Sequence, residues 1–192
     1  LFMADIKIIL ASKSPRRHAL IEELGFPFEI RIKEVEEIYP ESLDIYDVPA
    51  YLAELKAAPL VADLRPSEIL LTSDTIVILN KKILGKPTEA EDAINMLQQL
   101  SGKMHEVITG VCLQNRNKKH SFSVKTNVVF KELTLSEIHY YVRNFKPFDK
   151  AGSYGIQEWL GFVGVKKIDG CFYNVMGLPT SAIYTAINKE FR

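Results

Sequence analysis

Short apolar runs alternate with helix-period repeats along the first part of the chain. Residues 6–10 and 68–72 are mostly apolar and rich in β-branched side chains, which predicts two buried strands. Residues 28–32 alternate between apolar and polar positions and predict a third strand. Between these runs, apolar residues recur at helical spacing after Ser14 and again after Pro49. This order of strands and helices is typical of an α/β protein.

Capping signals place the ends of several helices. Ser14 suits the N-cap position of the first helix and Pro15 suits its first helical position. Thr88 and Thr134 are each followed three residues later by glutamate, which predicts two capping boxes. Pro59 lacks an N–H donor, so we expect it to end or kink the second helix.

The second half of the chain contains further strands and one unusual loop. Residues 104–114 and 122–130 predict two strands joined by the basic turn 115–119. Residues 149–157 hold two glycines, small side chains and one amide, a composition that favours a functional loop. This loop is expected to lead into a strand over residues 162–168.

The first turn of the first helix is a candidate phosphate site. Arg16 and Arg17 fall there, where the positive end of the helix dipole disfavours cations and favours anions. Free N–H groups, a serine hydroxyl and two guanidinium groups together suit a phosphate. The alternative is a capped helix with two solvated arginines.

Asp74 is the principal candidate carboxylate. We expect the strand over 68–72 to end at Ser73–Asp74–Thr75, and residues 75–84 to form a hairpin. Ligands of α/β proteins bind where strands end, although an aspartate there can also be a turn residue. Cations and carboxylates at such positions suit a polyphosphate bound through a divalent ion, of which Mg²⁺ is the usual choice. The residues of this kind are Arg16, Arg17, Lys56, Lys86, Glu37 and Asp74.

Bulk composition excludes several classes of protein. The 192 residues carry 24 Lys+Arg against 24 Asp+Glu, a net charge of +0 that argues against nucleic-acid or membrane-surface binding. Cys112 and Cys171 fit no paired motif, which favours free thiols in a reducing, cytoplasmic setting. The sequence contains no Cys/His cluster of the kind that binds zinc, so we expect no zinc site. We expect a single domain over residues 1–192, with Leu1 and Phe2, which precede Met3, set aside.

Common nucleotide and hydrolase fingerprints, such as the P-loop, are absent, but eight short motifs lie in register with one family. The motifs are Ser12-x-Ser14-Pro15-Arg16-Arg17, Glu36-Glu37, Leu52-Ala53 with Lys56-Ala57, Ser73-Asp74-Thr75, Leu84-Gly85-Lys86-Pro87, Leu100-Ser101-Gly102 with His105-Glu106-Val107 and Thr109-Gly110, Asp149-Lys150-Ala151-Gly152 with Tyr154-Gly155-Ile156-Gln157, and Asn174-Val175-x-Gly177-Leu178-Pro179. By these motifs the chain resembles the Maf family of nucleoside triphosphate pyrophosphatases.

The resemblance implies a fold and an activity. The fold is a three-layer α/β/α arrangement, Maf/inosine-triphosphatase-like, with a long twisted mixed sheet and a deep cleft. The activity is hydrolysis of a nucleoside triphosphate to the monophosphate and pyrophosphate with a divalent metal, Mg²⁺ or else Mn²⁺ or Co²⁺. The chain resembles the branch of this family that acts on dTTP and UTP at three places, namely Arg16-Arg17, Thr75 and Gln157. The resemblance also implies a homodimer.

Site roles follow from the same resemblance. Asp74 is the expected general base and, with Glu37, a metal ligand. Lys56, Lys86 and Arg17 would neutralise the polyphosphate, and Ser12 would orient it. Arg16, Thr75 and Gln157 would select the base.

Several alternatives stay open. Gln157 could instead hold its own loop, Arg16 could bind phosphate, and Asp74 could serve only as a metal ligand. At the level of function, the alternatives are a nucleotide-binding regulator of septum formation without turnover and a nucleic-acid binder of the same fold, which the net charge disfavours.

Overall fold

A computed structural model describes residues 6–192, so Leu1 and Phe2 lie outside the described residues. Within that range the chain forms seven strands and seven α-helices. The strands are β1 (Lys7–Leu10), β2 (Phe28–Ile30), β3 (Glu68–Leu79), β4 (Lys82–Leu84), β5 (Met104–Gln114), β6 (Lys119–Phe130) and β7 (Val165–Asp169). The helices are α1 (Pro15–Glu23), α2 (Val48–Ala57), α3 (Ala90–Leu100), α4 (Leu135–Phe145), α5 (Trp159–Gly164), α6 (Phe172–Met176) and α7 (Thr180–Glu190). None of these helices is long and apolar enough to cross a membrane.

The strands pair into a mixed sheet in the order β2-β1-β3-β5-β6-β7, with β4 paired to β3. β1 runs parallel to both of its neighbours, with Ile9 opposite Glu29 on one side and Leu70 on the other. The β3–β4 and β6–β7 pairs are antiparallel. Ile9 and Leu70 are fully buried, as expected for strands in the interior of a parallel region. The predicted α/β class is therefore confirmed.

The described residues group into two compact units. The first consists of residues 6–74, 109–124 and 177–192, and the second of residues 75–108 and 125–176. Each unit has its own apolar core. Buried residues of the first core are Ile9, Ala53, Ala57, Leu60, Leu64, Leu70 and Cys112. The larger core of the second unit includes Val77, Leu97, Phe130, Ile138, Tyr141 and Leu160. The single domain over residues 1–192 stays a prediction.

The strand containing Asp74 does not end there. β3 continues without interruption to Leu79, so the predicted end at Ser73–Asp74–Thr75 is wrong. The stretch contains no glycine or proline, and the β-branched residues that follow it extend the strand. The predicted hairpin is confirmed, since Asn80 and Lys81 both adopt positive φ and β4 pairs back onto β3.

Of the two predicted capping boxes, one forms. At Thr134 both reciprocal bonds with Glu137 are present. At Thr88 the prediction is wrong, because Glu89 occupies the N-cap position of α3. The Thr88 N–H and hydroxyl donate instead to the carboxylate of Asp92, one turn further on.

Two short helices replace structure that was predicted as strand or loop. The predicted strand over 162–168 begins only at Val165, because the six residues before it form α5. Gly161 permits this turn, since a Cβ at that position would lie 1.7 Å from the carbonyl oxygen of Ile156. α6, of five residues, was not predicted.

His105 lies buried in the second unit, on β5. Its Nε2 is 2.7 Å from the hydroxyl oxygen of Tyr154, and the Phe130 ring packs edge-on against it at 4.9 Å. No hydrogen-bond partner within residues 6–192 reaches its Nδ1. Burial lowers the pKa of His105 to about 4, so the ring is neutral at neutral pH.

We expect His105 to make the folded state sensitive to acid. The unfolded chain, with a pKa of 6.5 for this group, binds a proton before the folded chain does. The stability that the neutral ring contributes is complete above that pKa and is lost as the pH falls from 6.5 towards 4. Between about pH 7.5 and pH 5 this loss amounts to about 2 kcal/mol.

Urea unfolding at those two pH values, for the wild type and His105→Gln, measures the effect. The variant should lose less stability on acidification than the wild type. An equal loss in both proteins would show that His105 is not the group responsible.

Candidate active site

The start of α1 closes as a tight turn around Ser12. The Ser12 Oγ accepts a hydrogen bond from the Ser14 N–H at 3.1 Å, and its carbonyl oxygen lies 2.7 Å from Nε2 of His18. Ser14 is the N-cap residue and Pro15 follows it, as predicted, although the Ser14 side chain makes no capping bond. The backbone N–H groups of a first helical turn have no intrahelical partners and point along the helix axis, which suits an anion site.

Arg17 connects this helix to two other segments of the first unit. Its Nε donates to the carbonyl oxygen of Gly177 at 2.8 Å, and Nη1 donates to that of Ser73 at 2.9 Å. Burial lowers the pKa of the guanidinium, and the charge of Asp74 opposes that shift. Arg17 thus fixes the backbone of β3 immediately before Asp74. Arg16, half-buried, lies beside it in the first turn.

Three of the predicted residues meet around one ammonium group. Lys56 Nζ lies 2.6 Å from Oδ1 of Asp74 and 3.2 Å from Oε1 of Glu37. The side chains of Lys56 and Asp74 are 16% and 14% exposed, while that of Glu37 is 50% exposed. A helix, a strand and an irregular segment therefore place two carboxylates and a cation together, with Glu37 open to solvent.

Close packing of α2 brings Lys56 to this position. A Cβ at Gly110 of β5 would lie 2.1 Å from the carbonyl carbon of Pro49, so only glycine allows the helix to approach the strand. The buried Thr72 hydroxyl on β3 donates to the carbonyl oxygen of Ala53 at 2.6 Å. Pro59 ends α2 as predicted, and the chain continues as a 3-10 helix over Ala58–Asp63.

The two carboxylates are suited to a magnesium ion. Residues 6–192 contain no cluster of three or more His, Cys, Asp or Glu side chains that could hold a metal. Mg²⁺, however, is commonly bound by one or two carboxylates together with waters and substrate phosphates. Glu37 and Asp74 already converge on one cation, the Lys56 ammonium, so the donor set fits this requirement.

The remaining predicted residues belong to the second unit. Thr75 follows Asp74 in β3, and Lys86 lies in the irregular segment between β4 and α3. Gln157 lies between the 3-10 turn Ala151–Ser153 and α5, and its Oε1 is buried with no hydrogen-bond partner in the described part of the chain. The Gly152 N–H donates to the carbonyl oxygen of Gly85 at 3.0 Å, which holds the glycine loop against the segment of Lys86.

Sequence reasoning missed part of the polar structure behind that loop. Tyr141 falls on the apolar face of α4, so the sequence pattern predicts only a packing role for it. In the structure its hydroxyl also contacts Glu158 and the backbone of Gly155. A tyrosine at a core position was the available signal, since a buried hydroxyl requires a partner.

Comparisons with known proteins place the chain in a family. A family described as Maf-like protein matches residues 7–190. The chain is 50% identical over 184 residues to a dTTP/UTP pyrophosphatase from Phocaeicola vulgatus, covering 95% of each sequence. It is 51% identical over 180 residues to a protein of the same name from Flavobacterium psychrophilum, covering 94% of this chain and 92% of that one.

A solved structure supports the fold. A HAM1 protein from Coxiella burnetii superposes with a TM-score of 0.53 at 13% identity, covering 96% of this chain and 99% of that one. At that identity the likeness concerns the fold alone. Because the family match spans nearly every residue and the relatives are half identical over almost their full length, this chain belongs to the Maf family.

Proposed function

We propose that this protein is a nucleoside triphosphate pyrophosphatase that hydrolyses dTTP and UTP to the monophosphate and pyrophosphate. The observation that carries the proposal is the contact of Lys56 with Asp74 and Glu37. This contact brings two carboxylates and a cation together. The chain that carries them is about half identical to proteins named dTTP/UTP pyrophosphatase. Hydrolysis of a polyphosphate requires groups of both kinds, carboxylates to activate water and cations to stabilise the negative charge of the transition state.

The reaction is an in-line displacement at the α-phosphorus. A water molecule forms the new P–O bond while the bond from the α-phosphorus to the bridging oxygen breaks, and pyrophosphate leaves. Asp74 accepts the proton of the attacking water. Its position in the middle of β3, with the preceding carbonyl held by Arg17, restricts the carboxylate to few orientations.

Positive charge stabilises the transition state. We assign Lys56 and Lys86 to the phosphate oxygens, and Ser12 with the N–H groups at the start of α1 to their orientation. Arg17 adds its charge beside Asp74 while its donors hold backbone carbonyls. Arg16, Thr75 and Gln157 keep the base-selecting role that the family resemblance gives them.

Glu37 and Asp74 would hold a divalent cation, for which we propose Mg²⁺. Such an ion, when bound, neutralises phosphate charge and lowers the pKa of a coordinated water. The chain's own contribution is to keep the two carboxylates within reach of a single cation.

We also propose that the protein works in the cytoplasm as a homodimer. The dimer is implied by the family resemblance, and light scattering of the purified protein should give twice the mass of one chain. A mass of one chain would contradict it.

Asp74→Asn should abolish turnover. Loss of the general base is expected to lower kcat for dTTP and UTP by at least about a hundredfold. Pyrophosphate release with Mg²⁺ measures this. The matched control is Asp63→Asn, because Asp63 also pairs with a lysine, Lys33, at 2.5 Å. The control should retain full activity.

Two results would contradict the proposal. Full activity in Asp74→Asn would remove that residue from catalysis. A wild-type protein that binds dTTP without releasing pyrophosphate would instead support the regulator without turnover.

Gln157→Ala should relax base selection. A primary amide can pair with the carbonyl and N3–H edge of a pyrimidine, and the Oε1 of Gln157 has no partner in the described chain. We expect the ratio of kcat/KM for dTTP to that for dGTP to fall about tenfold. Gln98→Ala, at an exposed position on α3, is the control. An unchanged ratio in Gln157→Ala would show that Gln157 only holds its loop.

A further inference from the structure

The loop that carries Gln157 is fixed by bonds on both sides of that residue. Before it, the Gly155 N–H donates to the hydroxyl oxygen of Tyr141 at 2.9 Å. After it, the Glu158 N–H donates to the carbonyl oxygen of Gly155 at 3.0 Å. Gln157 therefore lies within a four-residue turn whose first residue is tied to α4.

Glu158 connects the turn to two further groups. One carboxylate oxygen accepts a hydrogen bond from the Tyr141 hydroxyl, and the other lies 3.0 Å from Nζ of Lys150. Lys150 also pairs with Asp149 at 2.7 Å and is only 9% exposed. Both oxygens of Glu158 thus have partners, and the Tyr141 hydroxyl both donates and accepts.

The surroundings restrict this network to one arrangement. The Tyr141 ring is fully buried and stacks on Phe145 at a centroid distance of 5.1 Å, which fixes its hydroxyl. A Cβ at Gly155 would lie 2.9 Å from Cδ of Glu158 and 3.0 Å from Cε of Lys150. Absence of a side chain at Gly155 is what lets the ion pair cross the turn at this distance.

We propose that Tyr141, Glu158 and Lys150 are positioning residues that set the base selectivity of the enzyme through Gln157. This inference rests on the proposed function, in which Gln157 reads the base. Glutamine has several rotatable bonds, so its amide discriminates between bases only if its backbone is already fixed. The network supplies that restraint, and the buried Oε1 of Gln157, which has no hydrogen-bond partner within residues 6–192, is the group that it presents to the ligand.

The test compares kcat/KM for dTTP and dGTP in Tyr141→Phe, Gln157→Ala and the double variant. Tyr141→Phe removes both hydroxyl bonds while keeping the ring. We expect it to lower the dTTP-to-dGTP ratio about three- to tenfold, because a mobile Gln157 loses about one hydrogen bond of discrimination between the bases. The double variant should have the same ratio as Gln157→Ala, because the two residues act in series. Hydrogen exchange at the Gly155 amide should accelerate in Tyr141→Phe.

The control is Thr134→Ala. It removes the capping bond of the same helix, α4, without contacting the loop, and should leave the ratio unchanged. If Tyr141→Phe does not fold, Glu158→Gln serves in its place, since it removes the charge that pairs with Lys150.

Three results would overturn the proposed positioning role of Tyr141, Glu158 and Lys150. A lowered ratio in Gln157→Ala with an unchanged ratio in Tyr141→Phe would overturn the network's role and leave base reading intact. An equal loss in Thr134→Ala would also overturn it, because general destabilisation would then suffice. An unchanged ratio in Gln157→Ala would overturn the base-reading role itself, and the inference with it.

Discussion

The pairing of Lys56 with Asp74 and Glu37 joins a helix, a strand and an irregular segment of the first unit, and the geometry of the candidate site depends on it. A mostly covered ammonium is unfavourable unless it has partners, and the two carboxylates provide them at 2.6 and 3.2 Å. Short contacts require α2 to pack directly on the sheet, which is possible because Gly110 has no side chain where the helix begins. Backbone packing thus determines the geometry of the charges, and a larger residue at Gly110 would displace Lys56 from both partners.

The continuity of β3 likewise lets the backbone determine the position of the Asp74 carboxylate. At the end of a strand this carboxylate would move with a loop, but here it lies inside a twelve-residue strand, which positions a side chain more rigidly than a loop does. Arg17 adds a restraint at the preceding carbonyl, at the cost of burying a guanidinium group. A residue expected to bind phosphate thereby also organises the strand that carries the proposed base.

Sequence patterns predicted the elements whose signals are local. The strands that begin at Lys7 and Phe28, the start of α1 and the capping box at Thr134 are specified by neighbouring residues, and all are present. The box at Thr88 did not form because Glu89 is the N-cap residue, and Asp92, one residue beyond the expected glutamate, accepts from the Thr88 N–H and hydroxyl. α5 and α6 span six and five residues, too few for a helical period to appear. The contacts of Arg17 join positions 56 and 160 residues apart, which no local pattern specifies.

Each unit contains a covered lysine with two carboxylate partners, yet the two clusters differ in what they can do. Lys56 meets Asp74 through a single oxygen, and its other partner, Glu37, is half exposed, so a ligand can exchange with the ammonium. Lys150 also has an exposed partner, Asp149, but its other partner, Glu158, already accepts a hydrogen bond from the Tyr141 hydroxyl through its second oxygen. An ion that binds Glu158 would have to break the hydrogen bond from Tyr141. The first arrangement therefore suits chemistry and the second suits the positioning of a loop, although the residue types are the same.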